Sequence, residues 1–356
     1  MKQTFHAPSE TLQCSRVSRV IQIHPSLQCN LACKHCYSGS APSFRGGLSV
    51  GPLLNVVEQL AEVGYNVIAL SGGEPFLYQQ LEELLTNTRR LGFFNSVTTN
   101  AMLLSTARAQ RILKETNLVA ISVDGKKEQH DSVRDFNGAF DKMLAGVSIV
   151  KDHVPNFGFI HTAFPDSWRV LPWLADFAIT HDAGLLHLHP LEIAGRATQS
   201  FSTTTFDPIS LHKLYIVFHY LKNLYEKEIF MQLDLLHKDN IIDNPNFIFH
   251  QVDKPDFIEA DFSNIFKELI INEKGDIIPI AHGCSEHFKI GNIYQETSCK
   301  EMISRFMETK MDDITNLYDT TYQAIVSDDN QELFNWSELV IQKSHQLYGD
   351  QILARA

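Results

Sequence analysis

The sequence predicts an α/β fold: a partial (β/α)6 barrel followed by a smaller α+β C-terminal extension. Three observations carry that expectation. From residue 19 to about residue 192, short β-branched apolar runs alternate with helical periods, giving six strand-plus-helix units. The strands are too apolar to keep one wet face, as in a parallel sheet covered by helices. The chemically unusual residues fall just after strands, on the rim where this architecture places its active groups.

In order, "RVIQIH" (19–24) reads as the first strand, followed by a cysteine-rich loop. "VGPLLNVVEQLAEVG" is a helix with Pro52 in its first turn and Gly64 at its close. "YNVIALSGGEP" is a strand running into a Gly-rich loop, and "LEELLTNTRRLG" is the next helix. "FNSVTTN" is the third strand, with a helix near 105–115. "LVAISVDG" is the fourth strand, and "AFDKMLAGVSIVKD" a helix. "FGFIHTAF" and "LLHLHPLE" are the fifth and sixth strands, separated by a helix near 171–181.

The pattern changes after Gly195. "TQSFSTTTFDP" reads as a linker, and an apolar helix follows at about 209–227. "ELIINEKGDIIPIAHG" reads as a hairpin turning at Lys274-Gly275. Ile314, Leu317, Tyr318, Tyr322 and Ile325 follow helical spacing and read as a core stripe. The chain divides into an N-terminal extension (1–16), a core barrel (17–200), a linker and helix (201–230), an extension (231–310) and a C-terminal helical segment (311–356).

Composition narrows the function classes. The 356 residues are 44% hydrophobic, enough for a full core, and no run of 18 apolar residues suggests a membrane span. The N-terminal residues lack the apolar stretch of a secretory signal, so a cytoplasmic location is expected. Net charge is −12, which argues against a broad nucleic-acid footprint. The last 56 residues hold ten acids against four bases, the pattern of a solvated helical face. Six cysteines in this length do not make a disulfide framework.

Three of those cysteines stand in "QCNLACKHCYSG" (28–39), spaced C-x3-C-x2-C. A structural zinc takes four protein ligands and ferredoxin clusters take four cysteines. Three thiolates in one loop suit a cubane iron–sulfur cluster held by three corners, with one iron left for a ligand that is not protein. Zinc with His24 or His35 as fourth ligand is the alternative reading. "SGGEP" (71–75) alone is a turn at a strand end, Ser122 and Asp124 alone an Asx-turn, and Arg134 alone a surface arginine. They escape these plain readings only as a set.

As a set they resemble the radical S-adenosylmethionine (radical SAM) family. The signature C-x3-C-x2-C is Cys29, Cys33 and Cys36, with His35 before the last cysteine. "SGGEP" is similar to the family's second motif, which takes the methionine amino group of SAM; "VTTNA" (97–101) resembles its third-strand motif, where Gly often stands in place of Ala101. "ISVDG", His130, Arg134 and "GAFDKML" resemble the fourth-strand region, and "PLEIAGRA" (190–197) the segment beside the adenine. The resemblance implies a 4Fe–4S cluster on Cys29, Cys33 and Cys36, and SAM held by His35, Gly72, Gly73, Glu74, Asn100, Ser122, Asp124 and Arg134. It assigns Ser122 and Asp124 to the ribose, Glu74 to the ammonium and Arg134 to the carboxylate.

"GDIIPIAHGCSEHFKIGNI" (275–293) resembles a SPASM-type extension, the auxiliary-cluster domain of many such enzymes, but Ile280 stands where a cysteine usually follows the proline. Cys284 and Cys299 are too few for an auxiliary cluster, so the extension reads as one that lost its metal, and Cys14 and Cys299 as ordinary thiols. His187 and His189 fall on one face of the sixth strand and suit proton transfer or a polar substrate; His161 is a further candidate. The implied reaction is reductive cleavage of SAM to a 5′-deoxyadenosyl radical that abstracts hydrogen from a substrate, possible targets being a ribosomally made peptide or, alternatively, a haem-like cofactor or small metabolite. The roughly 18 residues before the first strand are too short for a leader-binding domain. A non-catalytic SAM sensor is the reading of another class. A flavodoxin or ferredoxin is the implied electron donor, docking near Lys34, Lys126 and Lys127.

Overall fold

The computed structural model describes residues 18–204, 206–245, 262–295 and 298–349. Cys14 and the expected N-terminal extension lie outside the described residues. Six strands follow the predicted order: β1 (Val20–Ile23), β2 (Val67–Leu70), β3 (Phe94–Thr99), β4 (Leu118–Ser122), β5 (Asn156–Ala163) and β6 (Leu185–Pro190). Each pairs in parallel with the next. The helices between them are α1 (Val50–Glu62), α2 (Leu81–Arg90), α3 (Ala107–Lys114), α4 (Lys127–Arg134), α5 (Ala139–His153) and α6 (Leu171–Thr180). Of these, α4 was not anticipated, because its eight residues carry only His130 and Arg134 inward.

Strand alternation sets the two faces of the sheet. Ile21, Ile23, Ile68, Leu70, Phe159, Leu186 and Leu188 are fully buried in the layer shared with the helices. In α1 the buried stripe is Val50, Leu53, Val56, Val57 and Leu60, the spacing of one helical face. Truncating one such side chain, Leu53→Ala, would cost about 2–5 kcal/mol. Gln22, Ala69, Ile160, Thr162, His187 and His189 alternate onto the opposite, inner face and stay partly open.

The sheet does not stop at six strands. After α7 (Ala197–Ser200), α8 (Pro208–Leu224) spans most of the stretch expected as linker and helix and leads to β7 (Phe230–Leu233), which pairs in parallel with β6. Asp207 caps α8 by accepting from the Ser210 amide, and Pro208 opens it. Beyond β8 (Leu236–His237), α9 (Lys238–Asp243) and α10 (Phe262–Ile265), β9 (Glu268–Ile271) pairs in parallel with β1. The extension therefore continues the barrel sheet.

The predicted hairpin forms between β9 and β10 (Asp276–Pro279), with Gly275 at φ +82°. β11 (Gly291–Asn292) completes the sheet in the order β11-β10-β9-β1-β2-β3-β4-β5-β6-β7. α11 (Cys299–Val326) starts with a capping box, Ser298 with Glu301, and buries Ile314, Leu317 and Ile325 of the expected stripe. β12 (Leu333–Phe334) pairs with β8, and α12 (Trp336–Tyr348) packs on α11.

Candidate functional site

The cysteine loop leaves β1 at its C-terminal end and is tied down by its own chain. Cys29 N donates to Ala41 O at 3.2 Å, and Cys36 N to Cys33 O at 3.3 Å. All three thiols are free; Cys33 is buried, Cys29 and Cys36 half-buried. Burial pushes the Cys29 thiol up to about 12 and raises Cys33, which Arg134 only partly offsets. Bound iron would remove those protons. Among the described residues, the three sulfurs do not form a set within 4.8 Å of one another. A single tetrahedral zinc needs its thiolates about 3.8 Å apart, so the spacing suits a larger group.

The Gly-rich loop after β2 runs beside the cysteine loop. Gly73 N donates to Ser26 O and Glu74 N to Gln28 O, both at 2.9 Å. A Cβ on Gly73 would lie 2.2 Å from Gln28 O, and Gly72 has φ +95°. These glycines are therefore required by the close approach of two protein segments. Glu74 is 2% exposed and accepts three hydrogen bonds: from Thr99 Oγ1 at 2.7 Å, Asn100 N at 3.0 Å and Phe76 N at 3.2 Å. Burial raises its carboxyl, against those three donors. Asn100 in turn donates to Asn30 Oδ1 at 2.8 Å, joining the end of β3 to the cysteine loop. Ala101 sits at φ +61°, a conformation glycine adopts without cost. The close packing of Gly146 against Ala101 O fixes it there.

Past β4, Ser122 and Asp124 are buried, and Arg134 reaches back from α4. Arg134 Nε donates to Asp124 Oδ2 at 2.6 Å, and its Nη1 lies 3.9 Å from Cys33 Sγ. Burial alone would raise the Asp124 carboxyl, but Arg134, His35 and His130 override it and hold it well below the usual carboxylate range. His130 Nδ1 accepts from Asp124 N at 3.2 Å. His35 Nε2 lies 3.7 Å from Asp124 Oδ1, and burial lowers its imidazole to about 4. Two buried polar atoms here, Asp124 Oδ1 and His35 Nδ1, have no hydrogen-bond partner. Such orphans call for a ligand.

One clamp was absent from the sequence reading. Arg196 donates to three loop carbonyls, Cys33 O at 2.8 Å, Gly39 O at 3.0 Å and Ser40 O at 2.7 Å. Arg196 N adds a bond to Cys36 O at 2.9 Å, and a Cβ on Gly195 would lie 2.3 Å from Tyr37 O. "GRA" after β6 thus grips the cysteine loop, through contacts between residues 156 to 163 positions apart that no local pattern announces.

The remaining candidates separate. His161 is a core histidine with both nitrogens satisfied, by Val123 O at 2.9 Å and Ser167 Oγ at 3.0 Å. His187 and His189 face inward together, their rings 3.9 Å apart, and both meet Asp234. Cys299 is buried with its sulfur 3.8 Å from Val56 O, and Cys284 is buried in the core. Lys34 lies 3.8 Å from Asp135, and Lys127 2.6 Å from Asp141, so two of the three rim lysines are paired with acids.

The fold and this rim define an enzyme-type barrel with an open-ended thiolate triad at the strand C-termini. The chain carries a domain of the radical SAM superfamily: that family's model matches residues 23–177. Its members bind a 4Fe–4S cluster and SAM and use them for radical chemistry. The chain is 27% identical over 302 residues to the Fe-coproporphyrin III synthase of Methanosarcina barkeri, covering 80% of this chain and 74% of that protein. It is 28% identical over 202 residues to the pre-heme d1 synthase of Dinoroseobacter shibae, covering 56% of this chain and 50% of that one. Among solved structures, Streptococcus suis SuiB bound to precursor peptide SuiA matches with a TM-score of 0.62 at 16% identity, over 92% of this chain and 74% of SuiB. That last likeness is one of fold. Among the described residues, no helix is long and apolar enough to cross a membrane.

Proposed function

We propose that this protein is a radical SAM enzyme whose Cys29, Cys33 and Cys36 hold a 4Fe–4S cluster and whose rim residues seat SAM. The observation that carries the reading is the triad of free thiols set beside buried, unpartnered Asp124 Oδ1 and His35 Nδ1. When bound and reduced, the cluster supplies one-electron cleavage of SAM to a 5′-deoxyadenosyl radical. The chain's own task is to hold, orient and keep dry.

Glu74 has room for that task. A carboxylate offers about four lone-pair positions, and three are taken by Thr99, Asn100 and Phe76. The fourth is left for an ammonium group. Arg134 spends Nε on Asp124 and keeps other N–H groups for a carboxylate. Asp124 Oδ1 would accept from a ribose hydroxyl, with Ser122 beside it. Gly72, Gly73 and Asn100 act at one remove, by fixing the loop that carries Glu74.

For substrate, we propose a C–H bond of a ribosomally made peptide, with the reaction in a reducing, cytoplasmic compartment. The inner wall supports a neutral or cationic partner: Asp234, Glu192 and Glu268 all act on His189, and Asp234 raises both glutamates. A second reading, an iron tetrapyrrole or related cofactor, is favoured by the long match to Fe-coproporphyrin III synthase. In that reading the several carboxylates of the substrate would meet acids. A flavodoxin or ferredoxin would deliver the electron, near exposed Lys126. Residues 231–310 would be a SPASM-like extension without a cluster. Mass spectrometry of peptides and small metabolites from a deletion strain and its parent separates the readings. A peptide whose mass shifts only in the parent supports the first; a tetrapyrrole that accumulates in the deletion strain, with peptides unchanged, overturns it.

A further inference from the structure

Across the sheet from the cysteine loop, the inner face of β6 and β7 assembles a set of side chains that SAM binding leaves unused. We infer that His187, His189 and Asp234 form a binding site for one divalent transition-metal ion, separate from the cysteine triad. One nitrogen from each imidazole and one Asp234 oxygen lie within 4.8 Å of one another, and no other described trio of His, Cys, Asp or Glu does so. His187 Nε2 is 2.9 Å from Asp234 Oδ1, and His189 Nδ1 is bonded to Asp234 Oδ2.

The fold builds this set. Period-two alternation puts His187 and His189 on one face of β6. Register places Gln232 of β7 against His187, and Asp234 two residues on, with Asp234 N donating to Leu188 O at 3.1 Å. Gln232 Nε2 also donates to Asp234 Oδ1 at 3.2 Å, the outer-shell support that metal-binding carboxylates use. Two imidazoles and a carboxylate are borderline ligands suited to zinc or iron(II). Three protein ligands leave positions for water or substrate, the pattern of a working site rather than a closed structural one.

The surroundings call for a cation. Burial and the charges of Glu338 and Asp234 raise Glu192 to about 7 against His189. Acids that stay protonated for want of a counter-charge are relieved by a metal.

The site also lies within reach of the SAM wall. Ser122 of β4 pairs with Ile160 of β5, and Ile160 pairs with His187 of β6. Two strand spacings make about 10 Å across the sheet. A metal there would hold an oxygen or nitrogen of a substrate seated between it and the nucleoside.

Anaerobically reconstituted full-length protein, its cluster in place, is incubated with zinc and desalted, and zinc per chain is measured by mass spectrometry; cobalt(II) serves as a spectroscopic probe in parallel. The account expects about one zinc per chain in the wild type and in the surface control His212→Ala. Gln232→Ala should weaken binding by about tenfold, and His187→Ala, His189→Ala and Asp234→Ala by more. Should an alanine variant not fold, Asp234→Asn keeps the shape and removes the charge. No zinc in the wild type, or equal zinc in wild type and Asp234→Asn, overturns the proposal. Zinc bound without 5′-deoxyadenosine production would leave this site standing and remove the radical reading instead.

Discussion

The two halves of the barrel rim are built on different principles. On the β1–β4 side, polar groups are mostly satisfied by the protein: Glu74 takes three donors, Asn100 holds Asn30, and Asp124 holds Arg134. On the β6–β7 side, His187, His189 and Asp234 satisfy each other, and burial raises the Glu192 carboxyl toward neutrality. The first side is a preformed seat with a few specific openings. The second is a charged wall that awaits a partner. A chemistry shared across a family suits a rigid seat, and a partner particular to one enzyme suits the adaptable wall.

The largest effects should come from breaking the rigid side. Asp124→Ala leaves the Arg134 guanidinium buried without its partner, which costs about 3–5 kcal/mol, read as a lowered urea midpoint. Glu74→Gln comes next: it disturbs three buried bonds and should cost about 1–3 kcal/mol, with weaker SAM binding by calorimetry. An unchanged midpoint for both variants would mean that the seat is not held as described. Arg196→Ala should cost less stability, because the clamp is partly exposed. Its sharper readout is iron retained after reconstitution, which should fall as the cysteine loop loosens.

The smallest effect belongs to the wall, and its sign runs the other way. Burial holds the Glu192 carboxyl up near 7 against a usual value of 4.5. Between those values the folded protein keeps a proton that the unfolded chain has lost, so this group's contribution to stability is present below about pH 4.5 and fades as pH rises to about 7. Thermal melts of Glu192→Gln and wild type should differ in slope over that window, with the variant flatter. Parallel curves would show that Glu192 is not held in the protonated form.

The same contrast explains what the sequence disclosed. Cys29, Cys33, Cys36 and Gly72 to Glu74 lie in short motifs after strands, and the six strands announce themselves by β-branched runs, so that side was readable. Its bonding was not: Asn100 with Asn30, Arg134 with Cys33 and Arg196 with Ser40 join residues 70, 101 and 156 apart. For a related reason β7 was missed, and β9 was legible as a hairpin strand but not as the neighbour of β1. β7 and β9 are four residues each, and what makes β9 a barrel strand is β1, nearly 250 positions away. Asp234 is a lone acid in a region with little periodicity, and only the β6–β7 register brings it to the histidines. The alternation in "FMQLD" was the available signal, since Gln232 and Asp234 share a face with period two.

The central claim is that the thiol triad holds the cluster that cleaves SAM. The most direct test pairs iron content with product in wild type and Cys33→Ala, both reconstituted anaerobically and reduced with dithionite in the presence of SAM. The account predicts about four irons per chain and 5′-deoxyadenosine in the wild type, with both lost in Cys33→Ala. A Cys33→Ala protein that keeps its full iron and its product would contradict it.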